Sequence, residues 1–492
     1  MSTVIENTVA EKTVAPSDKK ILATGIFWNF LQLVINQSFA FGLKLILAKL
    51  LFPSQFGLVG MATVFTGFVQ VLNDLGVGAA LVQRKKEDLR KEHYHTAFWT
   101  GVAWSVFLYA VMALGVANIA ASFYNQPMLK SIIPAISIGI LLSPINLVHK
   151  AQLTKQMNFK KLAFIDNTAN ITAGVIAIIL AVSGAGVWAL VFNAVATVVV
   201  AMPLFFNATR WKPAFIFEKK AFKEVFGFGI YTTGSNILNY LYNNLDYLLI
   251  GKLLGASALG IYTLAFVLTD TFRSRLMAVI NNVMYPMYGK KQNDPESLKR
   301  YYLKVVLFNC LFIFPIMSCF LVDGDRIVVG IFGDKWQETV MPLRLLAVSV
   351  MMHILVSGNT ALLRGLGRPG LEMRQQLLKA FIFLPSLAVG IHYYGIVGAA
   401  YAILLNKFVV VIVAQYTFNY LIHVKITFGQ FVNAIKAPVI ATVVAICVSL
   451  LVKATGLHFI ITSGITMIVY AGCIWLLMKD ELLGLINGLR KK

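Results

Sequence analysis

Charge is what this chain has least of. Lys, Arg, Asp and Glu make up 13% of its 492 residues, about half the ~25% usual for soluble domains. Acid is scarcer still: 21 Asp and Glu stand against 43 Lys and Arg, a formal net charge of +22. The four cysteines (Cys310, Cys319, Cys447 and Cys473) show no CxxC spacing, and the seven histidines are scattered. That leaves no zinc motif and no disulfide framework, and the cysteines read as small buried apolar residues. No Walker sequence, Ser/His/Asp arrangement or paired metal-ligand motif is present, which argues against nucleotide hydrolysis and hydrolytic catalysis. Residues 1–20, MSTVIENTVAEKTVAPSDKK, lack the apolar core of a cleavable signal and read as a flexible polar tail.

Apolar residues, by contrast, reach 58%, with a mean hydropathy of +0.75. That is too much apolar surface for a water-soluble core, so the bilayer is the solvent. Runs near the ~20 residues that cross a bilayer as a helix recur along the chain, and their continuity favours a helical bundle over a β-barrel. Fourteen spans are expected, at 21–50, 56–82, 96–120, 128–149, 162–183, 187–206, 226–254, 261–288, 302–322, 339–363, 374–394, 396–420, 437–454 and 460–479. The fold class is an all-α membrane protein.

The loops alternate in charge. Segments 83–95 (QRKKEDLRKEHYH), 150–161, 207–220, 289–300 and 364–374 are basic, whereas SFYNQP (122–127), SGAG (183–186), GASALG (255–260) and HYYG (392–395) hold no Lys or Arg. Basic loops stay inside, which places both termini in the cytoplasm. The same rule accounts for the net charge without nucleic acid. The longest outer loop, about 323–338, is too short to fold as a domain, which disfavours a membrane polymerase or ligase.

One phrase is written twice. AKLLFPSQFG (48–57) and GKLLGASALG (251–260) align without a gap at an offset of 203, the distance from Lys49 to Lys252. The copies close spans one and seven. The six-span separation makes the repeat parallel, about an axis along the membrane normal. The expected organisation is a tail (1–20), an N-lobe of six spans (21–206), a linker (207–225), a C-lobe of six spans (226–420) and a final helix pair with a tail (421–492). The lobes would face each other across a cavity, which disfavours a simple channel.

Polar stripes mark both copies. Asn29, Gln32 and Asn36 share a face of span one, with Lys44 near its edge. Asn236, Asn239, Asn243 and Asp246 share one of span seven, and such stripes must face protein or water. Lys49, Lys252, Lys130 and Arg344 sit at outer helix ends and read as interface anchors. Arg273, Arg275, Lys407 and Lys44 are harder to place, because a mid-helix charge costs ~2.5–3.5 kcal/mol even on the lenient scale. Asp270 lies three residues before Arg273, within pairing distance. With cations in excess, a cavity collecting these groups would be electropositive and suit an anionic ligand. Its candidate lining is Arg273, Arg275, Lys407, Lys44, Asn36, Asn239 and Asn243. Asp74, Asp246 and Asp270 are candidates for a coupling ion, H+ or Na+; no cofactor or metal is expected.

LAKLLFPSQFGLVGMA (47–62), NDLGVGAALVQRK (73–85), GKLLGASALGIYTLAFVL (251–268) and IFGDKWQETVMPLRLLAV (331–348) resemble signatures of bacterial polysaccharide exporters. The resemblance covers about residues 20–420. It is closest to the Wzx-like branch with the colanic acid and teichuronic acid exporters, within the multidrug/oligosaccharidyl-lipid/polysaccharide (MOP) superfamily. It implies a MATE-like fold of about fourteen helices in two lobes, in the bacterial inner membrane. It also implies a substrate, an oligosaccharide on undecaprenyl pyrophosphate flipped outward for exopolysaccharide, capsule or O-antigen synthesis, with ion coupling and polymerase or assembly proteins as partners. The alternative within the superfamily is an ion-coupled small-molecule or drug antiporter, which would call for a more acidic or aromatic cavity.

Overall fold

The computed structural model describes residues 16–490 apart from 75–76, 85–87, 225–236, 238–239 and 423. Asn236 and Asn239 lie outside the described residues, as do the side chains of Asn29 and Asp74. Among the described residues the secondary structure is helical, with no strand. The helices are α1 Pro16–Leu50, α2 Pro53–Asp74, α3 Val77–Gln83, α4 Lys91–Ala110, α5 Ala117–Tyr124, α6 Leu129–Lys155, α7 Phe159–Val182, α8 Val187–Thr209, α9 Leu245–Lys290, α10 Pro295–Phe332, α11 Val340–Ile354, α12 Asn359–Gly365, α13 Pro369–Tyr416, α14 Phe428–Ala454 and α15 Phe459–Arg490. A π-helical turn, Val111–Val116, joins α4 to α5.

Eleven helical segments among the described residues are long and apolar enough to cross a membrane. Two of them, Leu245–Lys290 and Pro369–Leu421, run to 46 and 53 residues. Each is interrupted by a glycine with positive φ, Gly255 (85°) and Gly395 (56°), a conformation open mainly to glycine. Residues eight apart on a straight helix are ~12 Å apart. Gly390 and Gly398 are in backbone contact, and a Cβ on Gly251 would lie 3.4 Å from the Leu259 side chain. The chain therefore reverses at both glycines.

The chain forms two compact units. One holds residues up to 44, 66–119 and 129–239. Its core includes Leu153, Leu162, Ile165 and Phe205 on α6, α7 and α8. The polar stripe of α1 is directed at α7: Gln32 donates to Asp166 (2.6 Å), and Asn36 accepts from Asn170 (3.2 Å). Segment 210–218 is strapped onto α4. The Ala214 and Glu218 N–H groups donate to His95 Nδ1 and Thr96 Oγ1 (3.0 Å each), and Phe215 stacks on Trp99 at 4.3 Å.

Beside the strap, Glu224 pairs with Arg84 (2.7 Å) and His93 (2.9 Å). His93 Nδ1 accepts from the Arg90 N–H, which leaves Nε2 to donate to Glu224. That hydrogen bond, with Arg84 second, holds the Glu224 carboxyl below its ordinary 4.5. A depressed folded-state pKa stabilises above the unfolded value, and the contribution is lost as pH falls through the folded one. Protection of the 210–224 amides, measured against the intrinsic exchange rate at each pH, should therefore fall below about pH 4.5 in the native protein. In Glu224→Gln it should already be lower at neutral pH, with little further change in acid.

The other unit holds 45–65, 120–128 and 240–492, and so contains both copies of the repeated phrase. The copies pack on each other reciprocally. A Cβ on Gly57 would overlap the Ala256 carbonyl, and a Cβ on Gly260 would overlap the Pro53 carbonyl. Pro53 and Ala256 are repeat equivalents, as are Gly57 and Gly260, so one contact is made twice about a pseudo-twofold axis. Around it, the Trp336 indole donates to Ala48 O (2.8 Å) and Lys335 to Lys49 O (2.7 Å). Lys252 donates to Phe123 O (2.5 Å) and lies 4.9 Å from the Phe123 ring centre. Arg344 pairs with Asp325 (3.1 Å), which Lys453 also meets (2.5 Å), while Lys49 and Lys130 are exposed.

Cys310 and Cys319 are buried as expected, but Cys447 is exposed and Cys473 half-buried. In lipid an outward thiol still meets an apolar solvent, so apolar sequence context does not imply burial against protein.

Candidate binding pocket

The reversal at Gly255 brings the two arms of α9 side by side. Tyr262, Phe266, Thr269, Asp270 and Arg273 recur at helical spacing on the second arm, and Asp246 faces them from the first. With α11 and α13 these residues enclose a pocket of 150 Å³. Asp246, 8% exposed, accepts from the Tyr262 hydroxyl (2.5 Å) and the Tyr247 N–H (3.0 Å). Asp270 accepts from Arg273 through Nε (2.7 Å) and Nη2 (2.5 Å), the pairing expected from their spacing. Lys407 projects from α13 into the same space and, among the described residues, makes no hydrogen bond or ion pair.

Of the expected cavity residues, Arg273, Lys407, Asn243, Asp246 and Asp270 meet here. Arg275 does not: it is exposed, since two positions along a helix turn a side chain by ~200°. Asn36 is engaged by Asn170, and Lys44 is exposed on the other unit. His353, Asn406, Tyr242 and Tyr262 also line it and are absent from the sequence-based set. Their one detectable signal is helical: Ser349 and His353 fall on one face of α11 at i, i+4.

The expected excess of cation is not found in this pocket taken alone. Arg273 and Lys407 face Asp246 and Asp270, two charges of each sign. One guanidinium is held by its own acid, which leaves the Lys407 ammonium as the cation without a partner. Pockets for drug-sized ligands measure ~300–1,000 Å³, so this one admits a phosphate-sized group. Desolvated Lys and Arg bind such a group well, and Asn and Tyr are hydrogen-bonding partners for sugar hydroxyls.

Reversing apolar helices joined by short loops around a polar pocket define a polytopic helical membrane protein. The chain belongs to the polysaccharide biosynthesis protein family, which matches residues 46–341. It is similar to the teichuronic acid biosynthesis protein TuaB of Bacillus subtilis (strain 168), 26% identical over 80% of this chain and 81% of that one. It is also similar to the lipopolysaccharide biosynthesis protein WzxC of Escherichia coli (strain K12), 24% identical over 80% of each chain. Among solved structures it superposes on the lipid II flippase MurJ in an inward closed conformation, with a TM-score of 0.69 at 13% identity, covering 93% of this chain and 100% of that one. An inward-facing MATE multidrug transporter gives 0.61 at 15% identity, covering 78% of this chain and 96% of that one. The fold is that of the MOP superfamily. The protein is a multi-pass membrane transporter of polysaccharide biosynthesis and not an enzyme.

Proposed function

We propose that the protein flips an oligosaccharide linked to undecaprenyl pyrophosphate from the cytoplasmic to the outer leaflet of the bacterial inner membrane, by alternating access. The observation that carries this reading is the intramembrane pocket with an unpartnered Lys407 beside Arg273. The pyrophosphate is the part of such a substrate least able to cross lipid alone, and the half-buried Lys407 ammonium at mid-helix compensates its charge. Counting two crossings for each reversing segment and one for Pro16–Leu50 gives fourteen, with both termini cytoplasmic. The reciprocal joint of the two repeat copies then lies at the outer end and closes it in this conformation. The lobes, linker and final helix pair follow the repeat boundaries 21–206, 207–225, 226–420 and 421–492, and the partners are polysaccharide polymerase or assembly proteins.

An anion leaving a negative interior moves down the membrane potential, worth ~2.3 kcal/mol per charge per 100 mV. In proteoliposomes, efflux of lipid-linked substrate should rise with an imposed inside-negative potential and fall when it is collapsed. Flux that ignores the potential and tracks a proton or sodium gradient instead would assign the drive to Asp246 or Asp270. A second reading, an ion-coupled drug antiporter, draws on the buried Asp246 among Tyr247, Tyr262 and Phe266, a setting suited to an organic cation. Gene deletion separates the two. Lipid-linked repeat units should accumulate on the inner leaflet; their appearance outside at normal levels would remove the flippase reading.

A further inference from the structure

A second concavity, far larger than the pocket, has no part in that reading. It is a groove of 990 Å³ formed by α10, α14 and the end of α15. One end is basic, with Lys299, Arg300, Lys304 and Lys436. Glu296 engages Lys299 (3.0 Å), which leaves three cations. The wall below them is apolar, including Leu307 and Leu311.

The placement of these residues is specific. Lys304 directly precedes the apolar run 305–322 of α10, and Lys436 directly precedes the run 437–452 of α14. Two packed helices thus put their cations at one level, where hydrocarbon gives way to headgroups, on the side of the basic loops. A snorkelling lysine alone would explain either residue. It does not explain a cleft of 990 Å³ beneath them, walled by apolar side chains.

We infer that this groove is a binding site for an anionic glycerophospholipid of the leaflet on the basic-loop side. Its phosphate rests on Arg300, Lys304 and Lys436, and an acyl chain lies along Leu307 and Leu311. Headgroup charge and chain are matched by the two ends of one groove, as a neutral lipid or a free anion would not be.

The test is site-specific photocrosslinking in the reconstituted full chain. A benzoylphenylalanine is placed at Leu307, in vesicles of phosphatidylcholine with a minor share of phosphatidylglycerol, and adducts are weighed by mass spectrometry. A probe at Val439, exposed on α14, serves as the lipid-facing control. Position 307 should capture phosphatidylglycerol roughly tenfold above its bulk share, as three membrane-level cations allow, while position 439 follows the bulk. Arg300→Gln, Lys304→Gln and Lys436→Gln together should return position 307 to the bulk share without moving position 439. Capture at 307 that tracks the bulk in the unsubstituted protein overturns the inference. So does preferential capture of added polyprenyl phosphate, which would give the groove to the substrate.

Discussion

Export by Lys407→Ala is expected to fall about ten- to a hundredfold while the protein stays in the membrane. One hydrogen bond to a charged group is worth ~1.5–3 kcal/mol, and each 1.4 kcal/mol is a factor of about ten. The substitution also turns the pocket from two charges of each sign to a net negative site, which repels a phosphate. Lys407→Arg should retain much of the activity and Lys407→Gln little. Arg273→Ala should lose export too, but it leaves the half-buried Asp270 without its counter-ion, so its membrane level should drop. Export measured in a deletion strain and normalised to protein by immunoblot separates the two effects. Normal export by Lys407→Ala would remove the anion-binding role.

The second large effect is expected at the joint. A leucine at Gly57 or Gly260 drives a side chain into the carbonyl of the opposite copy. No rotamer relieves the overlap, because the offending atom is backbone and Cβ itself collides. Overpacking costs ~1–3 kcal/mol where side chains can move, and more is expected where they cannot. If the joint must close during transport, Gly57→Leu and Gly260→Leu should each cut export more than about tenfold. Labelling of a cysteine at Leu259, fully buried here, by an impermeant maleimide from outside should rise, in a background lacking the native cysteines. Gly429→Ala, where a Cβ meets nothing within 4 Å, should leave both unchanged. Wild-type export by the joint variants would show that the contact is dispensable.

The helix ends at the short uncharged loops were legible in the sequence to within a few residues, but the expected loop 323–338 was not: α10 runs on to Phe332 and a 3-10 helix follows over Asp334–Thr339. The break after Leu50, the turn before Val187 and the reversals near Gly255 and Gly395 coincide with Pro or Gly in short loops, where local chemistry dictates the turn. The ends at the basic loops were not. α10 begins at Pro295 rather than 302, α13 at Pro369 rather than 374 and α14 at Phe428 rather than 437. Hydropathy marks where hydrocarbon stops, while a helix continues as long as its backbone bonds are satisfied. The basic residues that made those segments look like loops are helical in part.

In the pocket, the Asp270–Arg273 pair follows from helical spacing, and Lys407 from its place in an apolar run. His353 and Asn406 carried no comparable mark, because their common space exists only once α9, α11 and α13 pack. Periodicity shows that a polar stripe needs a partner without saying which. The stripe of α1 meets α7, whereas Asn243 and Asp246 of the other stripe line the pocket. The net cation of the whole chain misled as to the local balance, since more of the surplus lies in the basic segments between the expected spans than within them.

The twofold glycine contact also bears on how the two copies can change over generations. Each copy's backbone occupies the room that a side chain on the other would need. Neither glycine can gain a side chain while the other copy's backbone stays where it is, so each repeat constrains the other at this joint. Selection on one half is felt as intolerance to substitution in the other, 203 positions away.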